Sequence, residues 1–213
     1  MCLNIMFKKN LQIIFEQGGK QMSKNTLIIV EGPQGAGKTT FTNYLRENLA
    51  SADLHRLTGI KDKSKSGLEK VTKRFQRELD YIALGEDDDN PTMIYDRNFF
   101  TDEVYARLGY KEYSFEQSYK NFLKQLNNMN LDIYLVILYL EDENLYKERL
   151  GGRNKFEYQK FDIQNSINQQ REYLKLADEI EEQASNIKVI RFANDTQEKF
   201  ESKVKELFEP LFK

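Results

Sequence analysis

Gly32-Pro33-Gln34-Gly35-Ala36-Gly37-Lys38-Thr39 matches the pattern G-x-x-x-x-G-K-[ST], and it follows directly on the apolar run Leu27-Ile28-Ile29-Val30. No other stretch restricts the fold as much. A buried strand must end here, the glycines must turn the backbone so that its N–H groups point inward, and a helix must start at Thr39 or Thr40. The following residues agree, because Phe41, Leu45 and Leu49 fall on one face of a helix. Such a loop is a cradle for polyphosphate. Its expected ATP-binding residues are Gly32, Pro33, Gln34, Gly35, Ala36, Gly37, Lys38, Thr39 and Thr40, all but the proline able to offer a backbone N–H. Lys38 is expected at the β- and γ-phosphates and the Thr39 hydroxyl on Mg²⁺, with ATP or GTP as the ligand.

A second site follows the short apolar run Thr92-Met93-Ile94-Tyr95, where Asp96 and Arg97 stand side by side. Ligands of an open parallel sheet collect at the carboxyl ends of its strands, which predicts this pair beside the phosphate loop. Asp96 suits Mg²⁺ through its water shell. Arg97 has the planar fork of donors that takes a phosphate or an acceptor oxygen. A third feature is Glu148-Arg149-Leu150-Gly151-Gly152-Arg153-Asn154-Lys155, with cations placed around paired glycines. It reads as a mobile, arginine-bearing flap of the kind that excludes water during phosphoryl transfer.

Between these sites the chain alternates strand and helix. Strands are expected at 26–31, 53–58 (weak), 92–96, within 131–140 and at 187–192. Helices are expected at 39–51, 68–84, a broken region up to 128, 142–150, 164–184 and from 195. The run Leu131 to Leu140 is too continuously apolar for a one-sided strand and suits the centre of a parallel sheet. The pattern predicts a three-layer α/β fold with a parallel sheet of about five strands. With 213 residues, 39% hydrophobic and 31% charged, and no apolar run of bilayer-spanning length, 22–213 reads as one soluble, cytoplasmic domain. The net charge of −2 argues against a dedicated nucleic-acid binder. Cys2 and His55 are single residues of their type, so neither a disulfide framework nor a His/Cys metal cluster is expected. Residues 1–21 lack a clean signal-peptide core and cleavage site. They read as a leader, either disordered or, if Gln17-Gly18-Gly19-Lys20 translates a ribosome-binding site, preceding a native start at Met22.

Taken together, the three features resemble the thymidylate kinase family over 26–212. Val30 to Thr40 is similar to the family's phosphate loop, Tyr95-Asp96-Arg97 to its Asp-Arg motif and Arg149 to Arg153 to its lid. Arg171 to Ala177 is similar to its closing tyrosine helix. The resemblance implies transfer of the γ-phosphate of ATP, with Mg²⁺, to a nucleoside monophosphate such as dTMP. Because the phosphate loop lacks arginine, it also implies that Arg149 and Arg153 supply transition-state charge, with Lys38 and Arg97 as the other catalytic residues. The helix before the Asp-Arg strand lines the family's acceptor cleft, which singles out Phe75 for base stacking, Arg74 or Arg77 for base contacts, and Tyr105 as a further aromatic.

The departures bear on the acceptor. Gln34 stands where the family carries an acid, and Arg56-Leu57-Thr58-Gly59-Ile60 replaces its Arg-Glu-Pro. The related deoxynucleoside kinases place a general-base Glu near that point, and none is found here. This favours an acceptor that is already ionised. Against that, Arg97 to Asp102 is similar to the nucleoside-kinase segment, so a deoxynucleoside or polynucleotide 5′-hydroxyl acceptor stays open, as does a homodimer. A switch or motor is disfavoured, since Tyr139 to Asp142 supplies no Asn-Lys-x-Asp and Asp96 is followed by Arg97 rather than a second acid. His55 reads as a strand residue, Glu86 to Asp89 as a solvated turn, and the Lys61 to Arg74 cations as solvated surface.

Overall fold

The computed structural model describes residues 25–49, 51–58, 60–85, 92–151, 163–196 and 200–212. The leader and the Met22 start, the Glu86 to Pro91 turn, and the flap residues from Gly152 onward, Arg153 included, lie outside the described residues. Five parallel strands, β1 (Thr26–Glu31), β2 (Ala52–Arg56), β3 (Thr92–Asp96), β4 (Asp132–Tyr139) and β5 (Ile187–Ala193), form one sheet in the order β2-β3-β1-β4-β5. The helices are α1 (Lys38–Asn48), α2 (Lys65–Leu84), α3 (Phe99–Arg107), α4 (Glu116–Asn127), α5 (Leu145–Gly151), α6 (Ile163–Gln183) and α7 (Phe200–Phe208), the last followed by a 3-10 turn at Glu209–Leu211.

The layers follow from strand alternation. In β1, Leu27 and Ile29 point to one face and pack with α2, α3, α4 and α6, while Ile28 and Val30 point to the other and pack with α1 and α7. β4 divides in the same way, with Ile133, Leu135 and Ile137 on the first face and Val136 and Leu138 on the second. Both strands are covered on both sides, as their unbroken apolar runs require. Glu31 continues the parity of Leu27 and Ile29, so a carboxylate is carried into the larger core at the end of β1.

The helix expected over 39–51 ends at Asn48 and the terminal helix expected from 195 starts at Phe200, while two further helix starts differ from the sequence expectation for visible local reasons. α2 starts at Lys65 because Asp62 turns the chain first, its Oδ1 accepting the Ser64 amide at 3.1 Å and the Ser64 hydroxyl at 2.5 Å. α5 starts at Leu145 because Asp142 does likewise, accepting the Asn144 amide at 2.9 Å. No helix of the described residues is long and apolar enough to cross a membrane.

Candidate active site

The phosphate loop joins β1 to α1 with Gly32, Gly35 and Gly37 all at positive φ (136°, 89° and 95°). At Gly32 an added Cβ would fall on the Leu138 carbonyl oxygen, which excludes a side chain by contact as well as by backbone conformation, while at Gly37 it would displace the end of the Asn194 side chain. Lys38 is buried, and its Nζ donates to the Gly32 and Pro33 carbonyls at 2.7 Å each, which sets the ammonium at the inner rim of the loop.

β1 and β3 are adjacent, with Val30 opposite Asp96, and this register brings the Asp-Arg pair to the loop. The Thr39 hydroxyl donates to Asp96 Oδ2 at 3.0 Å. Among the described residues no three His, Cys, Asp or Glu side chains are grouped to hold a metal. Mg²⁺ beside phosphates needs no such cage, since it keeps most of its waters and takes one or two protein oxygens. The Thr39 hydroxyl and Asp96 carboxylate are hard oxygen donors set side by side, and they fit that ion.

Arg97 sits at φ 73°. For a residue with a Cβ this costs roughly 1–3 kcal/mol and persists where the surroundings over-determine it. Here the Arg97 amide donates to the Val30 carbonyl at 3.0 Å and the Asn98 amide to Glu31 Oε1 at 2.6 Å. Burial works against the charge of the guanidinium, but Tyr105, Tyr173, Glu31 and Asp96 more than offset it and hold the arginine firmly protonated.

The sequence reading did not pick out Glu31, Asp102, Lys111 or Asn194. Glu31 is fully buried, and desolvation pushes its carboxyl up to about 7 against the pull of Thr101, Asn98, Arg97 and Lys38. Asp102, 2% exposed, pairs with Lys111 at 3.2 Å, and Lys111 also donates to the Ile60 carbonyl at 3.1 Å. Burial raises the Asp102 pKa, with Lys111, Arg74 and Arg97 pulling it back down. The available signal was a run of polar residues, Thr101-Asp102-Glu103, inside a helix start that is buried throughout. Asn194, just beyond β5, donates to the Ala36 carbonyl of the phosphate loop at 2.7 Å.

Among the expected acceptor residues, Arg74 donates to the Thr58 carbonyl, Arg77 is exposed, and Tyr105 packs on Tyr110. Phe75 is 3% exposed and meets Phe99, Phe115 and Phe122 edge-on, which makes it a core ring. His55 stacks on Tyr95 with ring centroids 4.8 Å apart, as a strand residue would. On the donor side, Arg149 in α5 donates to the Asn194 and Asp195 carbonyls at 2.6 and 3.1 Å, and its NH1 lies 3.9 Å from where a Gly37 Cβ would be. The structure therefore gathers the phosphate loop, Asp96, Arg97 and Arg149 at one end of the sheet.

The all-parallel five-stranded sheet flanked by helices, with a glycine-rich turn and a strand-end acid at one end, is an α/β fold also seen in a kinase of known structure. A deoxyadenosine kinase from M. mycoides, solved with products dCMP and a flexible dCDP bound, has a similar structure. Its TM-score is 0.56 at 14% identity, and the match covers 86% of this chain and 100% of that one. No protein-family model matches the chain, and no curated protein does.

Proposed function

We propose that this protein is an ATP- and Mg²⁺-dependent kinase whose acceptor is a deoxynucleoside carrying a free 5′-hydroxyl. The observation that carries the choice of acceptor is the charge balance around Arg97. Its guanidinium already lies in the field of Glu31 and Asp96, Lys111 is paired with Asp102, and Arg74 is turned to the Thr58 carbonyl. Arg97 and Lys111 thus have acids beside them and Arg74 is engaged by a backbone carbonyl, while a monophosphate would bring close to two further negative charges beside the buried Glu31, Asp96 and Asp102. A neutral hydroxyl brings none. The likeness to a deoxyadenosine kinase supports the same reading.

In this mechanism the loop amides and Lys38 hold the β- and γ-phosphates, and Thr39 and Asp96 hold Mg²⁺, which supplies neutralising charge when bound. Arg97 aligns the acceptor, and Arg149, with Arg153 from the flap, stabilises charge on the group in flight. No Glu after β2 stands ready to take the hydroxyl proton, which counts towards an ionised acceptor; with a hydroxyl acceptor the loose transition state asks for little early deprotonation, and the proton leaves late, to an oxygen of the transferred phosphoryl group and then to water. A monophosphate acceptor is the second reading, carried by the partly exposed Arg97 at a strand end beside the phosphate loop.

The test is a panel of deoxynucleosides and deoxynucleoside monophosphates with ATP and Mg²⁺, with products separated as mono- and diphosphates. Monophosphate products from deoxynucleosides are expected. Diphosphates alone would make the protein a monophosphate kinase, and no transfer to any acceptor would remove the kinase reading.

A further inference from the structure

Glu31 is a buried carboxylate that the transfer mechanism leaves without a task. It closes β1 one residue before Gly32, and its two oxygens serve different elements. Oε1 accepts the Asn98 amide at 2.6 Å, while Oε2 accepts the Thr101 hydroxyl at 2.6 Å and the Tyr173 hydroxyl at 3.3 Å. The Thr101 and Tyr173 hydroxyls are themselves 2.8 Å apart. A carboxylate without water is tolerated only when its lone pairs are engaged, and here donors from the start of α3 and from α6 engage them.

Arg97 lies between the two amides that β1 fixes. Its own N–H is held by Val30 and the next by Glu31, so successive residues of one strand clamp successive peptide groups around a left-handed arginine. The Val30 contact is backbone to backbone and would survive most substitutions. The Glu31 contact depends on a side chain.

We propose that Glu31 is the positioning residue of the acceptor side: it holds Arg97 in its left-handed conformation and, through Thr101 and Tyr173, couples that arginine to α6. Glu31 touches no reacting atom and acts through Arg97. The inference rests on the kinase reading for the reaction that Arg97 serves, but the anchoring of Arg97 does not.

The test uses the full chain as wild type, Glu31→Gln, Tyr173→Phe, Arg97→Lys and the Glu31→Gln/Arg97→Lys double variant. Glutamine keeps the shape of Glu31 and removes its charge; to keep the Asn98 amide bonded, its NH₂ group must face the Thr101 and Tyr173 hydroxyls, which then have to turn from donating to accepting. The first readout needs no reaction. In ¹⁵N-labelled protein with ADP and Mg²⁺, the Arg97 Nε–Hε resonance is assigned by its loss in Arg97→Lys. It is expected to move towards the position of a solvent-exposed guanidinium in Glu31→Gln, and in the same direction by less in Tyr173→Phe. A resonance that stays in place in both variants overturns the proposal, and Tyr173→Phe decides alone should Glu31→Gln not fold.

The second readout is steady-state transfer to the acceptor that the wild type phosphorylates. In Glu31→Gln, kcat/KM for the acceptor is expected to fall roughly 30-fold or more while KM for ATP stays within about threefold. Added to Arg97→Lys, the same change should cost less than about threefold, because one path has already been cut. Losses that multiply, or an equal rise in KM for ATP, would overturn it. Should the wild type phosphorylate nothing, the kinase reading falls and the resonance alone decides whether Glu31 places Arg97.

Discussion

Replacing Glu31 by Gln should remove a pH dependence from folding stability. In the folded chain its carboxyl is raised from 4.5 to about 7, mainly by desolvation, with the hydrogen bonds from Thr101 and Asn98 and the charges of Arg97 and Lys38 opposing the shift. Below pH 4.5 both folded and unfolded chains hold the proton. Between 4.5 and about 7 the unfolded chain releases it and the folded chain keeps it, so the unfolded state binds fewer protons and stability falls as pH rises. A shift of this size corresponds to about 3 kcal/mol, at 1.36 kcal/mol per pKa unit. Urea unfolding at pH 5 and pH 8 reads it directly. Because part of the effect is already spent at pH 5, the wild type should lose roughly 2–3 kcal/mol more than Glu31→Gln over that interval. Asp102 and Glu103 are also raised by burial and contribute in the same direction, but they are present in both proteins and cancel in the difference. Parallel pH dependences in the two proteins would refute the reasoning, since Glu31 would then ionise as easily inside as outside.

Thr39→Val keeps the shape of the side chain but removes the hydroxyl that donates to Asp96; turnover should fall on the order of 100-fold with a weakened response to Mg²⁺, and Thr39→Ser should restore both. A magnesium titration of ADP release checks this, and an unchanged titration would clear Thr39 of any metal role. Arg149→Ala should lower turnover by roughly 100-fold with ATP affinity within about threefold, as single-turnover kinetics and calorimetry would show; equal losses in both would make it an ATP anchor. Arg107 bonds Glu103, Glu172 and Glu179 at 2.8, 3.2 and 2.8 Å, and the Glu103 side chain is 2% exposed. Arg107→Met should therefore destabilise the fold by about 2–3 kcal/mol, the cost of an unpaired buried acid reduced for the partial exposure of the arginine. Adding Glu103→Gln should recover part of that loss in urea unfolding.

The strand, turn and helix around Gly32 to Thr39 were legible because each local signal agrees with the next: an apolar run, glycines where φ is positive, and an amphipathic helix directly behind. The position of Asp96 was legible from one general rule, that a parallel sheet collects its ligand residues at strand ends, and the Val30–Asp96 register follows it. Glu31 was not legible. At the end of a strand an acid reads as a solvated boundary, and its burial is decided by Thr101, 70 positions later, and Tyr173, 142 positions later. The Asp102–Lys111 pair is local by comparison, Lys111 folding back from the loop after α3, and was hidden because only its burial separates it from an ordinary surface pair. Asn194 lies 158 residues from the Ala36 carbonyl that it reaches. Phe75 satisfied the helical spacing of a core residue as fully as that of a base-stacking one, and its three aromatic neighbours place it in the core.

α6 bears on both halves of the site through consecutive turns of one helix. Gln169 Oε1 accepts the Gln34 amide of the phosphate loop at 3.4 Å. Gln170 is bound to both the amide and the carbonyl of Leu140 at the end of β4, at 2.8 and 2.9 Å, and takes the Tyr146 hydroxyl of α5 at 2.6 Å. One turn further on, Tyr173 reaches Glu31 and Thr101 on the acceptor side. These contacts differ in strength, because the Gln34 contact is long while Gln170 makes paired bonds in a buried setting. Gln170 is thus the most firmly held of the three, and the contacts to the glycine-rich loop and to Glu31 and Thr101 lie within one turn of it. One stretch of α6 contacts both the glycine-rich loop and the buried acid that precedes it, so the two are packed against a single element.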